Sequence, residues 1–172
     1  MDGTAGRIAR TGAHWTVFLG LAAVIVPLDQ LTKAWLVANV APGEVKPVVG
    51  DWIRFVYHQN SGALFGLFRD QAILFGLLSM VVIAVIVAYH ARAGHSRYMS
   101  IALGFLLGGA IGNMIDRLRL GYVVDFVDIG IGDLRFYTFN VADSAITTAI
   151  VLLVAVALLP GLARLIDGPP DA

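Results

Sequence analysis

The chain has 172 residues, of which 58% are hydrophobic and 14% are charged, and its mean hydropathy is +0.80. Soluble domains carry roughly 45–50% apolar and about 25% charged residues, so this composition is typical of a membrane protein. The 12 basic and 12 acidic residues cancel, which gives no indication of a nucleic-acid partner. Because cysteine is absent from the sequence, disulfides, thiolate metal sites and a cysteine nucleophile are excluded.

Four apolar segments approach the length of about 20 residues that a helix needs to cross the hydrocarbon core. They predict transmembrane helices at about 15–37, 72–89, 99–117 and 141–162. The remaining segments are connections between these spans. We therefore predict an all-α membrane protein in which residues 1–172 form a single membrane domain.

The N-terminal segment bears on both processing and topology. Arg7 and Arg10 precede an apolar stretch, as in a signal peptide, but a polar cluster follows Leu28 and no convincing small-residue cleavage site is present. We therefore predict a retained signal anchor that forms the first span.

The basic residues bear on the topology. Five of them flank the spans on the side of the termini and seven on the other side, so the total count does not decide the topology. Basic residues before the first span favour cytoplasmic termini.

Two long segments connect the spans on the side opposite the termini. Within the first, Ile53, Phe55 and Tyr57 alternate with Trp52, Arg54 and Val56. This two-residue period is typical of a β-strand. Residues 134–139 show a similar pattern. We predict a small sheet on the outer membrane surface, with a β region at about 44–66 and a loop at about 118–140.

Ionisable groups within a span cost at least about 2.5–3.5 kcal/mol, so each one is a candidate for function. Asp29 and Lys33 lie four residues apart on one helical face, where they form an intrahelical ion pair or face lipid headgroups or a catalytic loop. On the third span, Asn113, Asp116 and Arg117 share one face. They form either a snorkelling cluster with an Asp–Arg pair at the interface, or a site in which Arg117 and Asn113 bind a substrate.

The fourth span begins after Asn140, and Asp143 follows three residues later. Helix capping explains both residues, because asparagine is a favourable N-cap and a carboxylate is stabilised near a helix N-terminus. Asp125, however, lies in an apolar run, where desolvation would raise its carboxyl pKa. Two carboxyls near an apolar surface can share a proton, and such a dyad supplies a base to activate water and an acid for a leaving amine. The spacing alone leaves both interpretations open.

The stretch Asn60-Ser61-Gly62-Ala63, after the predicted strand, has the composition of a turn. His58 beside it could ligate a metal, but no second ligand stands at a suitable spacing. We therefore predict no metal site.

Five sequence blocks, in this order, resemble those of the lipoprotein signal peptidase (signal peptidase II) family, the bacterial aspartic proteases of prolipoproteins. The blocks are DQLTK at 29–33, NSGALFG at 60–66, GGAIGNMIDR at 108–117, GYVVDF at 121–126 and FNVADSA at 139–145. The resemblance covers most of the chain, and five blocks in order are highly specific. It implies four helices with an extracytoplasmic β cradle, cytoplasmic termini and a site that faces outward from the bacterial cytoplasmic (inner) membrane.

The resemblance also implies roles for individual residues. Asp125 and Asp143 match the catalytic pair. Seven further positions match family residues that support the dyad, hold the substrate backbone or lie nearby: Asn113, Arg117, Asn140, Asp29, Lys33, Asn60 and Gly62. Leu64 stands where many members have alanine, which puts only the pocket shape in doubt. Because a helix N-terminus favours charge, we expect Asp143 to be ionised and Asp125 to hold the proton.

The implied reaction is hydrolysis of the peptide bond just before a cysteine that carries diacylglycerol, in a prolipoprotein embedded in membrane lipids. No metal or organic cofactor is implied. A small proton-coupled transporter could use the same carboxylates as a relay, but the polar residues crowd one end of the spans, whereas a transport path needs them near the midplane. A non-enzymatic membrane subunit does not explain two acids in apolar settings.

Overall fold

The computed structural model describes residues 3–62, 71–93, 96–159 and 161–167. Most of the described chain is helical, and four helices are long and apolar enough to cross a membrane. The helices are α1 (Gly3–Asn39), α2 (Ala72–Ala93), α3 (Arg97–Leu120), α4 (Val141–Leu158) and the short α5 (Gly161–Asp167). The predicted fold class, a helical membrane protein with a small sheet, is confirmed.

The helix α4 ends at Leu158, earlier than the predicted limit of 162. Leu159 has φ −127° and ψ 73°, outside the helical region. Proline follows it in the sequence, and the residue before a proline is disfavoured in helical conformation. The proline therefore sets the end of the span.

Four short strands form one antiparallel sheet in the order β1-β2-β3-β4. They are β1 (Val45–Val49), β2 (Ile53–Asn60), β3 (Val123–Ile131) and β4 (Leu134–Arg135). The alternating pattern predicted β2 correctly, whereas the similar pattern at 134–139 yields only the two residues of β4 and an isolated bridge between Val127 and Phe139. Residues 63–66 of the predicted β region, with Leu64, lie outside the described residues.

The longest strand, β3, lies within the segment that the sequence predicts as a loop, about 118–140. Its first four residues, Val123 to Phe126, are all buried. Val124 and Phe126 pack against the end of α1, whereas Val123 and Asp125 face a cavity between the sheet and the helices. A strand buried on both faces shows no alternation of apolar and polar residues. The sequence therefore gives no strand signal where the structure has one.

The helix α3 lies at the centre of the bundle, since 56% of its span is buried, against 17–22% for the other three. Its glycines allow neighbouring backbones to approach closely. A Cβ at Gly104 would lie 2.9 Å from the carbonyl oxygen of Phe18 on α1, and a Cβ at Gly109 would collide with that of Ala142 on α4. Helices α2 and α4 both pack on α3, and a cleft runs between them.

The chain turns from α3 into β3 at Gly121, whose φ of +77° is the left-handed conformation that favours glycine. Its N–H donates to the carbonyl of Arg117 and closes the helix. Leu36 and Val40 at the end of α1 pack against Val124 of β3. The sheet is thereby held at the helix ends, with β3 beside the start of α4.

Candidate active site

Asp125 and Asp143 line a single cavity of about 900 Å³. Asp125 is the third residue of β3, and Asp143 is the third residue of α4. Apolar side chains of α2 and α4, including Phe75, Val82 and Ile150, form much of the wall. The structure therefore brings the two predicted carboxyls together, although 18 positions separate them in the sequence.

Asn140 joins the two carboxyls. Its Nδ2 donates to Asp125 Oδ1 at 2.6 Å, while its Oδ1 accepts from the backbone N–H of Asp143 at 2.9 Å. In return, the backbone N–H of Asn140 donates to Asp143 Oδ2 at 3.2 Å, which completes a capping box. Helix capping and pairing of the aspartates are therefore two consequences of one arrangement.

Two further asparagines donate to the remaining carboxylate oxygens. Asn60 Nδ2 donates to Asp125 Oδ2 at 3.0 Å, and Asn113 Nδ2 donates to Asp143 Oδ1 at 2.7 Å. The N–H of Gly62 donates to Asn60 Oδ1 at 3.2 Å, which turns the amide nitrogen of Asn60 towards Asp125. Each carboxylate oxygen thus accepts one N–H, so both side chains are held in fixed orientations.

Asp125 is fully buried, and this burial raises its carboxyl pKa to about 7. The negative charge of Asp143 adds to the increase, whereas the hydrogen bonds from Asn60 and Asn140 and the charge of Lys33 lower the pKa. Asp125 therefore keeps its proton over much of the range in which an ordinary aspartate is ionised. This is the property required of the acid in a pair of carboxyls.

Behind the cavity lies a buried ion triad, formed by Asp29, Lys33 and Asp116. The ammonium nitrogen of Lys33 is 2.8 Å from Asp29 Oδ2 and 2.9 Å from Asp116 Oδ2, and it donates to Asn113 Oδ1 at 3.1 Å. The intrahelical pair of Asp29 and Lys33 is present, and both residues face the protein interior instead of lipid headgroups. Asp116 pairs with Lys33 and not with Arg117, so the structure does not support the interpretation of the third span as a cluster with an Asp–Arg pair.

The triad also fixes the two elements that carry the aspartates. Asp29 Oδ1 accepts the N–H of Ala142 at 2.9 Å, and Asp116 Oδ2 accepts the N–H of Val124 at 3.1 Å. These two residues immediately precede Asp143 and Asp125. Asp116 is not among the site residues predicted from the sequence. Its position three residues after Asn113, on the same helical face, is the feature that could have indicated it.

Arg117 lines the same cavity, with its guanidinium carbon 5.9 Å from the ring centroid of Phe75. Its buried Nε makes no hydrogen bond with the part of the chain that the structure describes. Together with the residues above, Arg117 places the predicted site residues at one end of the helices.

His58 is the sheet partner of Asp125. Within the described ranges, no group of three His, Cys, Asp or Glu residues could hold a metal ion.

Tyr137 is a cavity residue that the sequence does not single out. It follows β4 in the chain, and its hydroxyl oxygen accepts from Asn60 Nδ2 at 2.7 Å. Burial raises the pKa of its phenol, and the charges of Asp125 and Asp143 raise it further, so the hydroxyl stays neutral beside the two carboxyls.

Comparisons with known proteins show the family of this chain. A family model described as signal peptidase (SPase) II matches residues 21–159. Lipoprotein signal peptidases from Streptococcus pyogenes strains of serotypes M3 and M4 are each 42% identical over 132 residues, which cover 76% of this chain and 86% of theirs.

Two solved structures are also similar, both described as a bacterial membrane enzyme structure obtained by the in meso method. The one at 2.3 Å resolution has a TM-score of 0.77 and 27% identity, and the match covers 90% of this chain and 94% of that one. The one at 1.9 Å has a TM-score of 0.74 and 30% identity, with coverage of 83% and 92%. The family model and the curated relatives match most of the chain, which therefore belongs to the signal peptidase II family.

Proposed function

We propose that this membrane peptidase removes the signal peptide of prolipoproteins by cutting just before a cysteine that carries diacylglycerol, and that Asp125 and Asp143 form its catalytic dyad. The observation that carries the proposal is the pairing of two carboxyls through Asn140 in one cavity, which side chains of α2 and α4 line. Membership of the signal peptidase II family supports the substrate class. The transporter alternative is not favoured, because the polar groups gather at one end of the helices.

The two carboxyls have different environments and hence different roles. Asp143 lies at the N-terminus of α4, where the helix dipole favours a negative charge, so it serves as the base. Its carboxylate takes a proton from water, and the resulting hydroxide attacks the scissile carbonyl carbon. The protonated Asp125 gives its proton to the carbonyl oxygen, which yields a neutral gem-diol. When the gem-diol collapses, the C–N bond breaks, the leaving nitrogen takes the proton held by Asp143, and one hydroxyl returns its proton to Asp125 as the carboxylic acid product forms.

The cleft between α2 and α4 offers a route for the substrate from the membrane. Its walls include Leu78 and Val82 of α2 and Ile146 and Ile150 of α4, all apolar. The apolar segment of a signal peptide and two acyl chains lie in lipid, so they can enter sideways while the scissile bond stays at the polar end. Arg117 supplies a buried donor for a substrate carbonyl at that end.

The lipid requirement is the direct test of this substrate assignment. We expect purified enzyme in detergent to cleave a diacylglyceryl-modified prolipoprotein at least about 100-fold faster than the unmodified form, because burial of acyl chains is worth about 0.8 kcal/mol per methylene. Mass spectrometry of the product should place the lipidated cysteine at its N-terminus. Equal rates for both forms, or a cut elsewhere, would contradict the proposal.

We further propose that the termini are cytoplasmic and that the cavity and sheet face outward. The chain has no cysteine, so single cysteines report accessibility without background. In intact cells, an impermeant maleimide should label Asp133→Cys, in the exposed turn beside β4, but label Arg92→Cys at the end of α2 only after lysis. The reverse pattern would show that the orientation is inverted.

A further inference from the structure

Both N–H groups and the oxygen of the Asn60 side-chain amide form hydrogen bonds. One N–H donates to Asp125 Oδ2 at 3.0 Å, the other donates to the hydroxyl of Tyr137 at 2.7 Å, and Oδ1 accepts from the N–H of Gly62 at 3.2 Å. An amide with both N–H groups occupied cannot exchange its oxygen and nitrogen without losing these bonds. The orientation of Asn60 therefore depends on a partner at each end.

We propose that Tyr137 is a positioning residue of the peptidase, which acts through Asn60 to orient the hydrogen bond to Oδ2 of Asp125. The inference rests on the catalytic dyad proposed above. It assigns a role to a residue that neither the sequence pattern nor the capping box requires. Tyr137 reaches the site because it follows the short strand β4, whose pairing with β3 turns the chain back towards Asp125.

The geometry of the two bonds gives Tyr137 a definite effect. Its oxygen accepts one N–H of Asn60 and so fixes the plane of the amide, with the other N–H pointing at Asp125 Oδ2. A hydrogen bond to a carboxylate favours the ionised form, so Asn60 lowers the carboxyl pKa of Asp125 against the effect of burial. Without the Tyr137 oxygen, the amide is held less firmly, so its bond to Asp125 weakens on average and the pKa of Asp125 rises further.

Other charged and titratable groups around Asp125 contribute to the same balance. They are Asp143 on α4, Lys33 on α1, Arg117 and Asp116 on α3, His58 opposite it on β2, and Tyr137 itself. The Tyr137→Phe substitution changes none of these charges, because the phenol is neutral throughout the range in which Asp125 titrates. A shifted profile in this variant therefore reports the hydrogen bond.

The test compares Tyr137→Phe with Tyr122→Phe, a matched loss of one tyrosine hydroxyl. Tyr122 pairs with the hydroxyl of Tyr57 at 3.1 Å and lines a different cavity. For Tyr137→Phe we expect kcat to fall on the order of 10-fold with KM within twofold, and the alkaline limb of the pH profile to move up by about half a unit. Tyr122→Phe should leave both unchanged. An unshifted limb in Tyr137→Phe would overturn the inference.

A double-mutant cycle with Asn60→Ala then tests whether Tyr137 acts through Asn60. Single-turnover rates with enzyme in excess keep the slow variants measurable, and melting temperatures verify folding. Tyr137→Phe should cost less than twofold in the Asn60→Ala background. The same cost in both backgrounds would overturn the proposal, since Tyr137 would then act independently. Either result leaves the dyad itself to be judged by the aspartate variants.

Discussion

Asp125→Asn and Asp143→Asn are each expected to lower kcat for prolipoprotein cleavage by at least about 10³-fold, because each removes one half of an acid–base pair. An asparagine amide can neither take a proton from water nor donate one to the scissile carbonyl. The substitution keeps the volume of the side chain and one accepting oxygen, so the variants should still insert and fold. Cleavage of a diacylglyceryl-modified substrate by purified variants measures the effect.

The matched control is Asp128→Asn, on the same strand as Asp125. Asp128 is also a buried carboxyl, but it pairs with Arg54 at 2.6 Å and Arg135 at 2.9 Å, on the outer part of the sheet. Its loss should leave kcat within a few-fold of the native value, with a lower melting temperature as the main change. Normal cleavage by Asp125→Asn or Asp143→Asn, with the same substrate, would refute the dyad.

The same dyad dictates the sign of the pH dependence. Activity requires Asp125 to be protonated, and burial raises its pKa to about 7. The value of kcat/KM should therefore decline as the pH rises through about 7, when the pair carries two negative charges. The pH at which this alkaline limb falls is a property of the coupled pair of carboxyls, and not the pKa of one isolated residue. In Asp125→Asn the residual activity should lack this limb.

The sequence predicted those parts of the molecule that local patterns specify. The four apolar segments predicted the spans, and the alternation of side chains between two faces predicted β2. The three-residue spacing of Asn140 and Asp143 gave the helix cap. The five family blocks predicted the candidate site, and in the structure hydrogen bonds and ion pairs connect all of the predicted site residues except Arg117, which lines the same cavity. Their catalytic roles remain predictions.

Other features could not be predicted because they arise only when distant segments meet. The strand β3 is buried on both faces and so lacks a strand period. One interpretation of the sequence paired Asp116 with its neighbour Arg117, but Asp116 pairs with Lys33, which lies 83 positions away in the sequence. Tyr137 lies in the site because the short strand β4 pairs with β3 just before it in the chain. In each case a long-range contact overrides the tendency of the local sequence.

The buried triad leads to the prediction with the largest effect on stability. Lys33→Met should lower the free energy of unfolding by about 3–5 kcal/mol, because it leaves the carboxylates of Asp29 and Asp116 buried without their shared cation. These carboxylates also accept the N–H groups of Ala142 and Val124, which precede the two aspartates of the dyad. Denaturant unfolding in mixed micelles measures the loss, and the activity of the folded fraction should fall as well.

Two variants separate loss of the triad from loss of any lysine at this end of the protein. Lys46→Met removes a half-exposed lysine that pairs with Glu44, and it should leave the unfolding midpoint nearly unchanged. Adding Asp116→Asn to Lys33→Met should restore part of the lost stability, because one uncompensated charge disappears while an amide oxygen can still accept from Val124. If Lys33→Met alone were as stable as the native protein, the triad would not anchor β3 and α4, and the orientation of the dyad would have to depend on the asparagines alone.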